Sequence, residues 1–141
     1  MRIDVFTIFP TLVDQFCAES LLGKARHSGL LDLRVHAPRD QTPDVHRTVD
    51  DSPFGGGAGM VMKPDVLSDA IAAVSEPGMP RLLMSPRGAP FSQARGRELA
   101  RGPGVLLVCG RFEGIDERVI EAHGLEEVSV GDFVLSGGEI A

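Results

Sequence analysis

Gly104-Val105-Leu106-Leu107-Val108-Cys109-Gly110-Arg111-Phe112-Glu113-Gly114-Ile115-Asp116-Glu117-Arg118 decides the fold. Val105 to Cys109 is an all-apolar run, the pattern of a strand buried on both faces between helical layers. The run ends in a turn bracketed by Gly110 and Gly114. Ligands of open α/β sheets bind outside the carboxyl ends of strands. Arg111, Phe112 and Glu113 offer a cation, a stacking ring and a carboxylate at that place. A plain βα turn with a surface ion pair is the competing reading of this segment by itself.

On either side the pattern alternates. Residues 2–9 predict a first strand. Pro10-Thr11 opens a predicted helix to about residue 27, with Thr11 as N-cap and Asp14 three residues on. Leu12, Val13, Phe16, Cys17, Leu21, Leu22 and Ala25 form the stripe expected to face the core. Gly29 stops this helix, and Leu31 to Ala37 alternates as a strand. Residues 38–63 are a long polar, Gly-rich connection, of a length that points to function in a compact domain. Pro64 opens a helix through Val74, with Val66, Leu67, Ala70, Ile71 and Val74 inward, and Pro77-Gly78 follows it. A strand at 81–84, a helix near 92–101, a strand at 104–109, a helix near 116–122 and a strand at 125–130 complete the order. The expectation is one α/β domain with a mostly parallel sheet and helices on both faces.

The chain has 141 residues, is 43% hydrophobic and carries a net charge of −6. Its mean hydropathy is +0.05, and no apolar run reaches the length of a membrane span. The N-terminus holds Asp4 inside its apolar stretch and has no small-residue cleavage site, so it reads as a strand and not a signal peptide. Cys17 and Cys109 lack metal-type spacing and predict reduced thiols in a cytoplasmic protein. The acidic balance argues against a generic nucleic-acid binder. Seven of the fourteen basic residues nevertheless fall in 81–118 (Arg81, Arg87, Arg95, Arg97, Arg101, Arg111 and Arg118), which predicts a local basic face for phosphates or an ordinary solvated surface.

Three later strands end in Gly-containing loops: Ser85-Pro86-Arg87-Gly88, Gly110 to Gly114, and Gly131-Asp132-Phe133-Val134-Leu135-Ser136-Gly137-Gly138. In a parallel sheet these ends share one edge, where the loops can wrap a small ligand with backbone groups. Neither a Gly-x-Gly-x-x-Gly turn after a strand nor a Gly-Lys-Ser/Thr loop occurs. Gly55-Gly56-Gly57-Ala58-Gly59 lacks the P-loop lysine and reads as a surface loop or hinge, with phosphate binding as the alternative. His27, His36, His46 and His123 show no ligand spacing and read as surface or capping residues.

Asp50-Asp51-Ser52-Pro53-Phe54-Gly55-Gly56-Gly57-Ala58-Gly59-Met60-Val61-Met62-Lys63-Pro64 resembles the signature loop of the bacterial tRNA (guanine-N1)-methyltransferase family, of the SPOUT superfamily. Leu83 to Gly88, Cys109 to Arg118 and Val130 to Glu139 are similar to its other signatures, in order, and Arg2 to Pro10 is similar to its opening. The resemblance spans the whole chain. It implies a SPOUT-type α/β domain with a C-terminal trefoil knot, acting as a homodimer. It implies S-adenosylmethionine as methyl donor and guanine N1 at position 37 of tRNA, beside the anticodon, as acceptor, with no membrane. By resemblance, Leu83, Ser85, Pro86 and Gly88 form one wall of the cofactor site. Gly110, Phe112, Glu113 and Gly114 form a second, and Val130, Gly131, Asp132, Phe133, Val134, Leu135, Gly137 and Gly138 close the adenine side.

Guanine N1 must lose a proton for methylation to yield a neutral base. The resemblance assigns this to an aspartate helped by an arginine and Mg²⁺, and puts Glu113 near the target base or metal. It also implies that the aspartate, the arginine, a linker and a C-terminal tRNA-binding domain lie beyond Ala141, so that 1–141 reads as a truncated methyltransferase domain. This sequence departs from the family in having Phe54, Phe112 and Phe133 where Tyr is common, and Arg87 where Gln is expected. Three functions follow: a tRNA methyltransferase, a cofactor-binding and dimerising module without catalysis, and a nucleotide-binding domain built on Gly55–Gly59.

Overall fold

A computed structural model describes residues 1–41, 49–52 and 59–141. Five strands, β1 (Arg2–Phe6), β2 (Asp32–His36), β5 (Arg81–Pro90), β6 (Val105–Cys109) and β7 (Glu126–Ser129), form one sheet in the order β2-β1-β6-β5-β7. Every neighbouring pair is parallel. A separate antiparallel pair, β3 (Asp50–Asp51) and β4 (Val61–Met62), lies within the long connection. Gly55 to Ala58, Phe54 and His46 lie outside the described residues.

The apolar run in β6 is central, between β1 and β5, and Val105, Leu106, Val108 and Cys109 are all buried. Period-two alternation sends its side chains to two cores. Leu106 and Val108 join Phe6 and Leu83 beneath α3 (Pro64–Val74) and α5 (Glu117–His123), through Leu67, Ala70, Ile71, Val119 and Ile120. Val105 joins Leu82, Val128 and Leu99 of α4 (Gln93–Arg101) on the other side. The α/β expectation therefore holds, with helices on both faces. α3 has its predicted bounds, opens on Pro64 and buries the predicted Leu67, Ala70 and Ile71.

The N-terminal helix departs from expectation. It is two helices, α1 (Pro10–Ala18) and α2 (Ser20–His27), broken where Glu19 is extended and Ser20 has φ +51°. The break turns the Ala18 carbonyl onto Gly23, where any Cβ would overlap it. Thr11 is not the N-cap. Pro10 takes the first helical position, Phe9 precedes it, and no side chain caps the helix. The predicted inward stripe is also corrected: α1 buries no residue, and Phe16 and Leu21 are 73% and 77% exposed. Leu12 and Leu22 are exposed as well, and Val13, Cys17 and Ala25 of the stripe are half-buried.

Candidate functional site

The carboxyl ends of β5, β6 and β7 meet around one half-open cavity of about 440 Å³, within the size range of small-molecule sites. β5 supplies the first wall. The expected loop after a strand at 81–84 is corrected: β5 runs on to Pro90, and because Met84 and Ala89 both lie opposite Val128, Ser85 to Gly88 form a bulge within the strand. Ser85 Oγ donates to Glu127 Oε1 at 2.8 Å, and Arg87 Nη2 donates to the same oxygen at 2.9 Å and to Glu117 Oε2 at 3.3 Å. Arg87 is thereby held by two carboxylates at the rim.

The β6 turn supplies the second wall. Phe112 adopts φ +61°, a conformation uncommon outside glycine, and stands exposed beside exposed Glu113. The Glu113 N–H donates to the Met60 carbonyl at 3.0 Å, and a Cβ on Gly59 would lie 2.6 Å from Glu113 Oε1. The glycine-rich connection thus reaches the site at its end, Gly59-Met60. Cys109 is unsuited to nucleophilic work: burial, aided by the Glu139 carboxylate, pushes its thiol up to about 12.

The segment after β7 supplies the third wall and contains no helix or strand. Ser129 Oγ donates to the Gly131 carbonyl at 2.8 Å, and the Phe133 N–H donates to the same carbonyl at 3.0 Å. This tight turn carries Val130, Phe133, Val134 and Leu135 to the cavity.

Of the residues singled out in the sequence, Leu83, Ser85, Pro86, Gly110, Phe112, Glu113, Gly114, Val130, Phe133, Val134, Leu135, Gly137 and Gly138 line this space. Gly88, Gly131 and Asp132 do not. Gly88 instead sits against the Glu127–Val128 backbone, where a Cβ would overlap it. Met84, Arg87, Ile115, Ile120 and Glu127 also line the cavity. So does Arg111, whose Nε donates to Glu139 Oε2 at 2.8 Å and whose guanidinium lies 4.7 Å from the Phe9 ring centroid. Sequence reasoning named Arg111 as a cation at the turn and missed its partner.

Three histidines prove to be paired. His27 Nδ1 lies 2.7 Å from the Gly23 carbonyl, and His123 Nε2 lies 2.8 Å from Ser68 Oγ. His36 Nε2 lies 2.7 Å from Oδ1 of the fully buried Asp4, so it is no plain surface residue. The predicted basic face is largely self-neutralised. Arg87 pairs with Glu117 and Glu127, Arg95 with Glu98 and Glu126, Arg111 with Glu139, and Arg118 with Asp116. Arg81 donates to the His123 carbonyl at 2.7 Å. Among the described residues no group of three His, Cys, Asp or Glu side chains could hold a metal ion. The described residues therefore assign no three-carboxylate or histidine ligand set to the Mg²⁺ that the resemblance implies.

The molecule is an α/β domain with a parallel sheet whose carboxyl edge carries a cavity with apolar walls and backbone-rich loops, the place where ligands of such sheets are usually found. A family model described as tRNA (guanine-1)-methyltransferase TrmD matches residues 1–141, and the chain belongs to that family. A tRNA (guanine-N(1)-)-methyltransferase of Mesorhizobium japonicum is 56% identical over 99% of this chain and 61% of its own length. Proteins of the same name from Rhodopseudomonas palustris and Rhizobium johnstonii are each 59% identical over 99% of this chain, and over 57% and 58% of their own lengths. The chain thus spans about three-fifths of the length of the curated relatives it matches.

Proposed function

We propose that the cavity at the β5–β6–β7 edge holds S-adenosylmethionine, and that the chain contributes to methylation of guanine N1 at position 37 of tRNA. The convergence of the β5 bulge and the two loops after β6 and β7 on one apolar-walled cavity carries this reading. Its chemistry fits the donor. Leu83, Val130, Phe133 and Leu135 offer apolar surface for an adenine ring, and the surrounding loop backbone offers hydrogen-bonding groups for its edge. When bound, the donor supplies an already activated methyl on a sulfonium. The protein then has to orient two reactants and shed a proton. Glu113, exposed at the cavity mouth, is the side chain we assign nearest the acceptor base or a metal.

The same proposal includes a trefoil knot, homodimerisation and a cytoplasmic location. The return of the chain after β7 to the end of β6, where Gly138 seats against Cys109 and bonds the Gly110 carbonyl, supports the knot. Exposed Phe16 and Leu21 support a second copy over α1 and α2. Two free cysteines support a reducing compartment. Among the described residues no helix is long and apolar enough to cross a membrane.

A second reading is favoured by the self-paired arginines: the 1–141 segment alone binds donor and dimerises without catalysis. Phosphate contacts dominate tRNA affinity, and most cations of the expected face already have partners. Calorimetry with S-adenosylmethionine and with ATP tests the site. Binding of the first alone is expected, and binding of ATP alone would overturn it in favour of a nucleotide-binding domain. A radiolabelled-methyl assay on an unmodified guanine-37 transcript separates the two readings, because only the first gives labelled tRNA. Glu113→Gln is expected to lower turnover more than donor affinity in a protein of the relatives' full length. An unchanged single-turnover rate would remove Glu113 from the chemistry.

A further inference from the structure

The Glu139 side chain has no solvent exposure, yet it belongs to a segment without regular structure. Its two oxygens have different partners. Oε1 accepts from Thr7 Oγ1 at 2.5 Å, and Oε2 accepts from Arg111 Nε at 2.8 Å. Thr7 is fully buried just past β1, where its Oγ1 also accepts from the Phe9 N–H at 2.9 Å. Arg111 spends a second donor, Nη1, on the Ser136 carbonyl at 2.9 Å. The Gly138 N–H donates to the Gly110 carbonyl at 3.0 Å. One carboxylate therefore ties residues 136–139 to the carboxyl ends of β1 and β6 together.

Gly137 and Gly138 make room for that tie. A Cβ on Gly137 would overlap the Arg111 guanidinium, and one on Gly138 would lie 2.7 Å from Cys109 Cα. The glycine pair is thus explained by the seat of Arg111 and the β6 backbone, whatever the cavity holds. Between β7 and the tie run the residues that form the third wall, Val130 to Leu135. Their internal bonds are few and gather at the start of the segment: the Phe133 N–H donates to the Gly131 carbonyl, the Ser129 hydroxyl donates to that same carbonyl, and the Gly131 N–H donates to Ser129 Oγ. A segment with so few bonds of its own takes its shape from its two anchors, β7 and the tie.

We propose that Glu139, acting through Arg111 and Thr7, is a positioning residue that holds the 130–138 loop in the shape that closes the cavity. Its effect falls on donor affinity, a consequence that rests on reading the cavity as the S-adenosylmethionine site. A buried charge stripped of one partner leaves the other uncompensated, so a small change should release the loop.

The test compares Thr7→Val, which keeps the shape and loses the hydroxyl, with Thr7→Ser, which keeps the hydroxyl, and with Glu139→Gln. Amide hydrogen exchange is read on the full chain without ligand, and S-adenosylmethionine affinity by calorimetry. Thr7→Val and Glu139→Gln should speed exchange at 130–138 about tenfold, and raise the donor Kd about tenfold, as expected for a lost bond to a charged group. Thr7→Ser should restore both, and amides of β5 and β6 should keep their protection in all three. Unchanged exchange at 130–138 in Thr7→Val and Glu139→Gln would overturn the proposal. So would acceleration spread over the whole sheet, which would make Glu139 a general stabiliser. If the unaltered chain binds no S-adenosylmethionine, the cavity reading fails, and the exchange comparison still decides whether Glu139 holds the loop.

Discussion

Among the described residues two carboxylate side chains with ion-pair partners are stripped of water, Asp4 in the middle of β1 and Glu139 beside Thr7 just past its carboxyl end. Asp4 lies within the strand. Its partners are Arg2, two residues away, at 2.6 Å, and His36 on the adjacent strand β2 at 2.7 Å. Glu139 lies in a loop, and its partners are 28 and 132 residues away. Arg2 also reaches Glu76, just past α3, so the Asp4 cluster joins sheet to helix. The Glu139 cluster joins sheet to loop. Similar chemistry thus does two jobs. Around Asp4 it stabilises elements that hydrogen-bond into a ladder anyway, and around Glu139 it shapes a segment that has no ladder.

Asp4→Ala should have the largest effect on the fold. It removes the carboxylate that joins Arg2 to His36 and leaves a cavity at a fully buried position, although Arg2 keeps Glu76, and unfolding should come at clearly lower denaturant. Urea unfolding should show that fall in stability, while S-adenosylmethionine affinity of the folded fraction stays within about twofold, a shift of ~0.4 kcal/mol. A local loss of donor affinity without a fall in stability would erase the contrast between the two carboxylates.

Gly110→Val should act the opposite way. A Cβ there would meet Ile115 at 3.5 Å, an ordinary contact, so the fold tolerates it while the branched side chain enters the cavity. Donor affinity should fall at least about a hundredfold, or ~2.7 kcal/mol, with unfolding little altered. Calorimetry showing wild-type affinity would move the site away from this edge.

Gly137→Ala sharpens the comparison further. The added methyl must displace Arg111, so donor affinity should drop about tenfold, ~1.4 kcal/mol. Combined with Glu139→Gln, the two losses should be much less than additive, because both open the same tie. Full additivity would mean that the glycine serves the ligand and not Arg111.

The smallest effects are pH-dependent. Asp116 caps α5 and bonds Arg118, which holds its carboxyl down at about 2. A lowered folded value contributes stability above the ordinary carboxylate range, and that stability is lost as pH falls from about 4 to about 2. Asp116→Asn should flatten this acid limb slightly in thermal melts. Cys109 works in reverse. Its thiol is held up at about 12 by burial, so its share of stability is intact below about 9 and fades as pH rises through 12. Cys109→Ala should remove that alkaline loss, and a thiol probe at pH 8 should label Cys17 before Cys109.

Local pattern carried far in this chain. The apolar run 105–109 could only be a buried strand, and its neighbours alternated with helices. That was enough for a parallel sheet and for a shared edge of strand ends. α3 was legible to the residue, because Pro64 starts it and an apolar spacing of three to four sustains it. The loops at the edge were legible as well, since glycine clusters after strands are a local signal. The N-terminal helix was not. Its apolar period is sound, but the break at Glu19–Ser20 depends on Ala18 settling against Gly23, and the stripe's exposure depends on which elements pack against it. The seven arginines of 81–118 read as a basic face because sequence shows charges and hides pairings, and the structure joins Arg95 to Glu126 and Arg111 to Glu139.

From the sequence alone came the strands of the five-stranded sheet, most helices and the edge where the loops collect, because each rests on residues a few positions apart, whereas the β3–β4 pair inside the 38–63 connection was not read. The tertiary structure alone decided that Thr7, Arg111 and Glu139 meet, that Gly88 seats a backbone, and that His36 finds Asp4. Those contacts follow from strand order and loop path, and no period or propensity in a linear chain encodes which distant charge will lose its water to which partner.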